Sequence, residues 1–268
     1  MKLTGERPME GATPDSLLAL HDAGYREVIA RLGPGVVVDI GCGIGAETQR
    51  LTAPDRLVVG ADYSSETVRL AASTYDSAST PGGLDFFASD GAVLGLRDRS
   101  VDFAVSSHII EHFVNPALHV IELARILRAD GTAFVITPNA PADFENPFHV
   151  YLFEPEHLVS LLALFFDDVT CYGIDGDEVL KADFANRRAS GERLLKLDPM
   201  NLRHKMPRGA YVWAYEHVLP ITYRVLGSSS SGIGSGIDDT HFFLREEVRS
   251  DTPVLFAVAR KPRIGSAS

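Results

Sequence analysis

A short apolar strand that runs into a turn of closely spaced glycines constrains the fold of this chain more than any other feature. The strand Val36-Val37-Val38-Asp39-Ile40 leads directly into Gly41-Cys42-Gly43-Ile44-Gly45, after which a helical pattern begins. A turn of this kind lets the backbone approach a ligand closely, and the N-terminus of the following helix faces that ligand. The pattern therefore predicts a small-ligand site at the carboxyl end of a parallel sheet.

Alternating strand and helix patterns extend from this turn through residue 173 and predict an α/β fold, a Rossmann-like, doubly wound sheet with helices on both faces. An amphipathic segment precedes the first strand, and we expect it to be broken near Gly24. The simplest topology makes a strand-like run near the C-terminus the last, antiparallel strand. The seven predicted strands are 36–40, 57–61, 84–88, 101–106, 132–137, 168–173 and 253–259, and the helices are 44–52, 65–75, 116–128 and 155–165.

The alternation stops near residue 174, so we divide the chain into an N-terminal helical segment (1–32), a sheet domain (33–175 and 251–262) and an insertion (176–250). The insertion is predicted to be mainly helical, with helices at 191–196 and 210–226. It also contains a Gly/Ser-rich tract, 227–236, whose composition is typical of a flexible loop. Because the insertion precedes the last strand, we expect it to form a lid over the acceptor side of the site.

The insertion also concentrates basic and aromatic residues in an otherwise acidic chain. The aromatic side chains could stack on a sugar and the basic side chains could meet a phosphate, but we favour a solvated helix face over a hydrophobic lid. The residues concerned are Arg187, Arg188, Arg193, Lys196, Arg203, Lys205, Arg208, Tyr211, Trp213 and Tyr215.

Composition narrows the functional classes. The formal net charge of -11 over 268 residues disfavours a protein that binds nucleic acid through its phosphates. Cys42 and Cys171 lie far apart and form no CxxC pair, so we predict neither a disulfide framework nor a cysteine zinc site, and we name no metal-binding residue. The longest apolar run, 158–166, is too short to span a bilayer. We expect a soluble, cytoplasmic protein without an integral membrane segment.

Three acidic residues, each at or near a strand end, indicate the kind of cofactor. Asp39 would lie near the ammonium of a methionine moiety, Asp62 would accept ribose hydroxyls and Asp90 would accept the adenine amino group. Together they favour a cofactor made of methionine and adenosine. A nicotinamide-dependent oxidoreductase would share the turn and Asp62, but its G-x-G-x-x-G pattern needs a last glycine where this chain has Ala46.

Residues 36–175 resemble the class I S-adenosylmethionine-dependent methyltransferases, because VVVDIGCGIG, GADYS, ASDGAVLGL, SVDFAVSSHIIEHF, ARILRADGTAFVITPN and YLFEPEHLVSLL follow the motif order of that family. The resemblance implies a seven-stranded sheet with a reversed last strand. It also implies S-adenosylmethionine as methyl donor and S-adenosylhomocysteine as product. The predicted cofactor-binding residues are Asp39, Gly41, Cys42, Gly43, Asp62, Tyr63, Asp90, Gly91, Ser106 and Ser107.

Candidate catalytic residues follow the fourth and fifth strands. The run from His108 to His112 has the H-x-x-E-H order of a zinc protease motif, but Asn115-Pro116 begins a new helix too soon for the long helix of such an enzyme. In a methyltransferase, Glu111 and His112 resemble residues that line the floor of the cleft. We name His149, His108 and Glu111 as catalytic candidates.

His149 is the strongest of these candidates, since a histidine can act as a general base near neutral pH, although an ordinary loop histidine is an equal interpretation. Leu3-Thr4-Gly5-Glu6-Arg7-Pro8, Thr137-Pro138-Asn139 and Asn146-Pro147-Phe148-His149 resemble actinobacterial methyltransferases that act on sugars. That resemblance implies that His149 takes a proton from a sugar hydroxyl.

Other functions and partners stay open from the sequence. An N- or C-methyltransferase of a small metabolite and a catalytically silent cofactor-binding protein are both compatible with the motifs. The expected partner is a small-molecule or saccharide acceptor, and a homodimer is also compatible with the sequence.

Overall fold

The computed structural model of the chain describes residues 13–75, 80–143, 149–195 and 234–263. Its helices and strands alternate along the chain as far as a strand that ends at residue 176. The α-helices are α1 (Asp15–Ile29), α2 (Ala46–Arg50), α3 (Ser65–Thr74), α4 (Pro116–Ile126), α5 (Pro155–Leu162) and α6 (Glu178–Leu195). The strands are β1 (Gly35–Ile40), β2 (Arg56–Asp62), β3 (Leu84–Ala88), β4 (Val101–Ser107), β5 (Leu127–Pro138), β6 (Phe166–Gly176), β7 (Phe242–Arg245) and β8 (Val254–Pro262).

The strands form one mixed sheet in the order β3-β2-β1-β4-β5-β8-β6-β7. Neighbouring strands from β3 to β5 are parallel, whereas β8 lies between β5 and β6 and is antiparallel to both. The predicted number of seven strands is wrong, because the described residues form eight. The additional strand, β7, pairs antiparallel with β6 at the edge of the sheet. It lies within the segment that the sequence predicted to be an insertion.

Side chains from alternate strand positions build two hydrophobic cores, one on each face of the sheet. On one face, Val37 and Val105 pack with the apolar side of α1. On the other face, Val38 and Ala104 belong to the core that α4 and α5 cover. This division follows from the two-residue period of a strand, which sends successive side chains to opposite faces. Among the described residues, no helix is both long and apolar enough to cross a membrane.

Helix α1 continues through Gly24, which corrects the predicted break at that residue. Gly24 is buried, and a β-carbon placed there would lie 3.0 Å from Cδ1 of Ile136, so the glycine allows close contact between the helix and β5. Two other predicted boundaries are also wrong: α2 is shorter than 44–52, and α4 ends at Ile126, where β5 begins directly.

Helix α6 covers the start of the predicted insertion and contains three of the basic residues named there, Arg187, Arg188 and Arg193. Arg187 donates a hydrogen bond to Oγ of Ser16 in α1 (2.9 Å), and Arg188 donates to the carbonyl of Ala142 (2.7 Å). The predicted helix at 210–226, most of the Gly/Ser-rich tract and the basic and aromatic residues from Lys196 to Tyr215 lie outside the described residues. Residues 1–12 and 144–148 lie outside them as well.

Strand β7 is held to β6 by a buried ion pair. Asp175 of β6 is fully buried and its Oδ2 lies 2.8 Å from Nε of Arg245 in β7. The exposed pair Arg263–Asp167 has almost the same geometry, with Nε and Oδ1 2.7 Å apart, but its side chains are more than half exposed. Asp175 also lies 3.8 Å from Nζ of Lys181, so the exposed Arg263–Asp167 pair serves as a control for the geometry of the contact and not for every neighbour.

We predict that Arg245→Ala lowers the free energy of unfolding by about 3 kcal/mol, because it leaves the buried Asp175 carboxylate without its closest cation. Arg263→Ala is the control and should cost less than about 1 kcal/mol, since water screens that pair. Urea denaturation of both variants measures the difference. Equal losses would contradict the assignment of Asp175–Arg245 as the contact that anchors β7.

Candidate active site

The glycine turn closes tightly over the ends of β1 and β2. Gly41, Gly43 and Gly45 all have positive φ angles, of 81°, 54° and 86°. A β-carbon on Gly41 would collide with Cγ2 of Ile109, whereas one on Gly43 would meet no atom within 4 Å. The amides of Gly41 and Cys42 both donate to the carbonyl of Ala61 (2.7 and 3.1 Å). The turn is therefore shaped by backbone bonds and by the close approach of Ile109.

Asp39, the acid that precedes the turn, is fully buried. Its Oδ1 accepts a hydrogen bond from the Tyr25 hydroxyl (2.9 Å), and its Oδ2 accepts one from Oγ1 of Thr48 (2.6 Å). Burial raises the pKa of the Asp39 carboxyl to about 6, although the bonds from Thr48 and Tyr25 oppose that shift. Asp39 thus joins β1, α1 and α2 at the cofactor turn. Its predicted contact with the ammonium of the cofactor stays a prediction.

Asp62 ends β2 beside the same turn and is largely buried. Its Oδ2 accepts from the amide of Gly43 (3.0 Å), and its Oδ1 accepts from the amide of Ser64 (2.8 Å). Cys42 is buried within the turn, whereas the neighbouring Tyr63 is 84% exposed. The geometry places a carboxylate and an exposed aromatic ring at the carboxyl end of β2, where the sequence predicts the ribose of the cofactor.

The loop after β3 is connected to β4 through a buried histidine. Asp90 is exposed and its Oδ1 accepts from the amide of Ala92 (2.9 Å). Nδ1 of His119 lies 2.7 Å from the Gly91 carbonyl, and its Nε2 lies 2.8 Å from Oγ of Ser106. A carbonyl only accepts hydrogen bonds, so Nδ1 carries the proton and Nε2 accepts from the serine.

Burial lowers the pKa of His119 to about 4, and the imidazole is neutral at pH 7. Its ring also stacks on Phe113, with the ring centroids 4.8 Å apart. A neutral histidine donates a hydrogen bond at one ring nitrogen and accepts one at the other. The contacts of His119 with the Gly91 carbonyl and the Ser106 hydroxyl require this arrangement. His119 therefore fixes the loop of Asp90 and Gly91 relative to the end of β4.

Buried polar atoms gather at the end of β4, on the acceptor side of the predicted cofactor site. Oγ of Ser107, Nε2 of His108 and Oε1 of Glu111 have no hydrogen-bond partner among the described residues. His108 has a positive φ of 52°, and its ring packs against that of His21 with the centroids 4.4 Å apart. Since buried polar groups are nearly always paired, these atoms mark a place where a ligand can bind.

Glu111 is the centre of this group and is only 1% exposed. Its Oε2 accepts from Oγ1 of Thr137 (3.0 Å), and Nδ1 of His108 lies 3.5 Å from its Oε1. Burial by itself would raise the pKa of Glu111, but the hydrogen bond and electrostatic interaction with His108, together with weaker electrostatic interactions with His112 and His149, outweigh burial and lower it. Glu111 is therefore ionised at neutral pH.

The third catalytic candidate, His149, lies next to Glu111 although it is far away in sequence. The Glu111 carbonyl accepts from the amides of Val150 (2.8 Å) and Tyr151 (3.0 Å), which holds this segment against the turn after β4. Nδ1 of His149 lies 2.7 Å from Oδ2 of Asp143. Because a carboxylate accepts, Nδ1 donates and Nε2 carries the lone pair of the imidazole.

The structure brings the three catalytic candidates, His108, Glu111 and His149, to one end of the sheet. The predicted cofactor-binding residues occupy the adjacent strand ends of β1, β2, β3 and β4. The H-x-x-E-H run is not a long helix, since Ile110–His112 forms one short 3-10 turn and α4 begins only at Pro116.

Sequence analysis missed several residues that shape this site. Tyr25 and His21 are one turn apart on α1. Their position on one helix face was the only sequence evidence that both could reach the site. His119 is a polar residue within an apolar helical run. Such a pattern indicates a buried side chain that forms hydrogen bonds. Asp143 carried no signal at all, because its position beside His149 depends on the path of the chain.

Comparison with known proteins shows what the region around this site resembles. Residues 38–135 match the model of a methyltransferase domain family. The matched region begins in β1 and ends in β5, so it contains the glycine turn, all three predicted cofactor acids and the end of β4. This region is therefore similar to a methyltransferase domain, and the similarity supports S-adenosylmethionine as the predicted cofactor.

Individual relatives agree with this class. The chain is 31% identical over 169 residues to a probable S-adenosylmethionine-dependent methyltransferase of Mycolicibacterium smegmatis, covering 60% of this chain and 63% of that protein. It is 31% identical over 103 residues to the ubiquinone biosynthesis O-methyltransferase of Rhizobium etli, covering 38% of this chain and 41% of that protein. The chain thus spans less than two thirds of the length of these curated relatives.

A solved S-adenosylmethionine-dependent methyltransferase of Thermotoga maritima has a similar fold. Its TM-score is 0.58 at 14% identity, with 92% of this chain and 91% of that chain covered. At this identity the similarity concerns the fold alone. It supports the Rossmann-like α/β sheet predicted from the sequence.

We predict that Gly41→Ala destabilises the protein more than Gly43→Ala. The first variant combines an unfavourable positive φ with a collision against Ile109 and should cost about 2–5 kcal/mol. Gly43→Ala carries the backbone cost alone and should lose about 1–2 kcal/mol. The free energies of unfolding without cofactor provide the comparison. The same loss in both variants would show that Ile109 does not limit the turn.

Asp39 should make stability depend on pH between about 4 and about 6. Its pKa rises from 3.8 to about 6 on folding, so the folded state keeps a proton that the unfolded state has lost in this window. The free energy of unfolding therefore falls as pH rises, by about 3 kcal/mol across the window, and is constant above it.

Asp39→Asn removes this titration, and the same measurement on the variant is the control. The free energy of unfolding of the wild type minus that of the variant should fall with pH in urea denaturation between pH 4 and pH 7. A difference that stays constant or rises with pH would contradict the raised pKa.

Proposed function

We propose that this protein is a methyltransferase that transfers the methyl group of S-adenosylmethionine to an oxygen of a small hydroxylated acceptor, such as a sugar. The observation that carries the proposal is the pair of Asp143 and His149, whose Oδ2 and Nδ1 lie 2.7 Å apart beside the end of β4. Transfer from a sulfonium to an alcohol requires in-line alignment and removal of the hydroxyl proton. A histidine held by a carboxylate can take that proton.

In the proposed reaction, the acceptor oxygen forms a bond to the methyl carbon while the bond from that carbon to the sulfonium sulfur breaks. The bonding electrons go to sulfur, which gives S-adenosylhomocysteine, and the hydroxyl proton moves to Nε2 of His149. Asp143 is a positioning residue, because its bond to Nδ1 holds the tautomer in which Nε2 accepts. Electrostatic attraction between Asp143 and the imidazolium also stabilises the product of proton transfer.

The groups around His149 support a polar acceptor. Glu111 is ionised and buried, and Ser107 and His108 present buried polar atoms at the same end of the sheet. Hydroxyl groups can both donate to a carboxylate and accept from a hydroxyl or an imidazole. We propose that Glu111 and His108 orient the hydroxyls of the acceptor, while the residues at the ends of β1, β2 and β3 bind the cofactor.

We also propose that α6, which begins the predicted insertion, forms a lid over the acceptor. Support comes from α6, where Arg188 donates to the carbonyl of Ala142, one residue before Asp143. Helix α6 thus contacts the loop that carries the proposed base. The name of the Rhizobium etli relative, an O-methyltransferase, is consistent with oxygen as the acceptor atom.

We predict that His149→Ala lowers the rate of methyl transfer by about 100- to 10,000-fold, which is the usual contribution of a general base. Transfer of labelled methyl to a panel of sugars and small alcohols measures the rate. Calorimetry should show unchanged binding of S-adenosylhomocysteine. His157→Ala is the control, because His157 is an exposed residue of α5 and its loss should leave the rate unchanged.

Three results would each contradict a different part of the proposal: the base, the acceptor atom or the reaction itself. An unimpaired rate in His149→Ala would exclude His149 as the base. A methyl group found on nitrogen or carbon would exclude oxygen as the acceptor atom. Binding of NAD without binding of S-adenosylmethionine would exclude the methyl-transfer function altogether.

A further inference from the structure

A second chemical feature of the acceptor side is a group of metal-ligand side chains. Glu111, His112 and His149 each offer a ligand atom, and these atoms all lie within 4.8 Å of one another. Two of the residues belong to the turn after β4, and the third follows β5. The bonds from the Val150 and Tyr151 amides to the Glu111 carbonyl fix the two segments together.

One oxygen of the Glu111 carboxylate has only a long contact, 3.5 Å, with Nδ1 of His108. Oε2 is bonded to Thr137, but Oε1 accepts no hydrogen bond among the described residues. At 1% exposure, water does not reach this side chain freely. A buried carboxylate oxygen that accepts no hydrogen bond is costly, and a bound metal ion would supply the missing partner.

Asp143 provides the second independent indication. A histidine that binds a metal usually donates its other ring N–H to a carboxylate, which fixes the tautomer and directs the lone pair at the metal. The 2.7 Å contact between Oδ2 of Asp143 and Nδ1 of His149 has this arrangement. Asp143 lies outside the three-ligand group, as an outer carboxylate should.

We propose that Glu111, His112 and His149 bind a divalent transition metal ion. Two imidazoles and one carboxylate suit zinc and related ions, whereas magnesium and calcium prefer oxygen ligands throughout. Zinc bonds of about 2.0–2.1 Å to nitrogen imply tetrahedral ligand atoms roughly 3.4 Å apart. The ligand atoms, which lie within 4.8 Å of one another, would therefore move closer by at most about 1.4 Å on binding. Three protein ligands leave a fourth position for water or a hydroxyl.

The metal site has a direct consequence for the proposed function. His149 cannot use one nitrogen lone pair for the ion and for a proton at the same time. If His149 is the base, the bound ion blocks proton removal and inhibits methyl transfer. The proposed metal binding does not depend on the proposed function. The predicted inhibition of methyl transfer does depend on it.

The experiment uses the full chain, stripped of metal by a chelator and then titrated with Zn²⁺ by calorimetry and with Co²⁺ by visible absorption. We expect one equivalent to bind, with the absorption of tetrahedral Co²⁺. His112→Ala should weaken binding by more than about 100-fold, since even outer-ligand changes cost 10- to 100-fold. Asp143→Asn should weaken it by about 10- to 100-fold. His157→Ala, which removes an exposed histidine, should bind like the wild type.

Circular dichroism of His112→Ala without metal shows whether that variant is folded, and Asp143→Asn tests the site without the loss of a ligand. Absence of saturable binding to the wild type would overturn the proposal. Equal affinity of the wild type, His112→Ala and Asp143→Asn would also overturn it, because the ion would then lie elsewhere.

The rate of methyl transfer is then compared with and without Zn²⁺. Inhibition of the wild type at the concentration that saturates the site supports the proposal. A rate that requires the ion would support the metal site but overturn His149 as the base, so the two proposals can fail separately.

Discussion

The buried carboxylate of Asp39 is the contact on which the cofactor half of the site depends. It ends an apolar strand, it precedes the glycine turn, and its two oxygens are bonded to Tyr25 of α1 and Thr48 of α2. Burying a carboxylate is costly, and the raised pKa records that cost. The two hydroxyl donors offset part of it and join the N-terminal helix to the turn. The helix before the sheet is therefore part of the architecture of the site.

On the acceptor side, Glu111 has the role that Asp39 has on the cofactor side. It contacts other segments through both its backbone carbonyl and its side chain. The carbonyl binds the segment after His149, and the carboxylate binds Thr137 at the end of β5. One residue thus sets the distance between the turn after β4 and the proposed base. Unlike Asp39, it has a lowered pKa, because its interactions with the neighbouring histidines, mainly the hydrogen bond with His108, outweigh its burial. The two buried acids at neighbouring strand ends therefore have opposite shifts in pKa, because their surroundings differ in charge.

Most of the sheet could be predicted from the sequence, because strands buried on both faces have compact β-branched runs and the glycine turn has a fixed position after the first of them. Strand β7 could not be predicted. It has only four residues, Phe242–Arg245, and it depends on pairing with β6 and on the Asp175–Arg245 contact rather than on its own pattern. Gly24 was misleading for a related reason. Glycine destabilises a helix, but at position 24 close packing on Ile136 offsets that cost. Helix propensity describes only the local sequence and cannot predict this tertiary contact.

The same distinction applies to the site. The acids and glycines follow strands and could be placed by counting along the chain, whereas Tyr25, His21 and Asp143 reach the site through tertiary contacts. The H-x-x-E-H run illustrates the limit. On a long helix, His108 and His112 would share a face, but the short turn at Ile110–His112 sends His108 toward His21 and leaves His112 beside His149, with ring centroids 5.5 Å apart. The motif order would place two metal-binding histidines, His108 and His112, on one long helix. In the fold, His149 from another loop lies beside His112, and His108 does not belong to the proposed metal site.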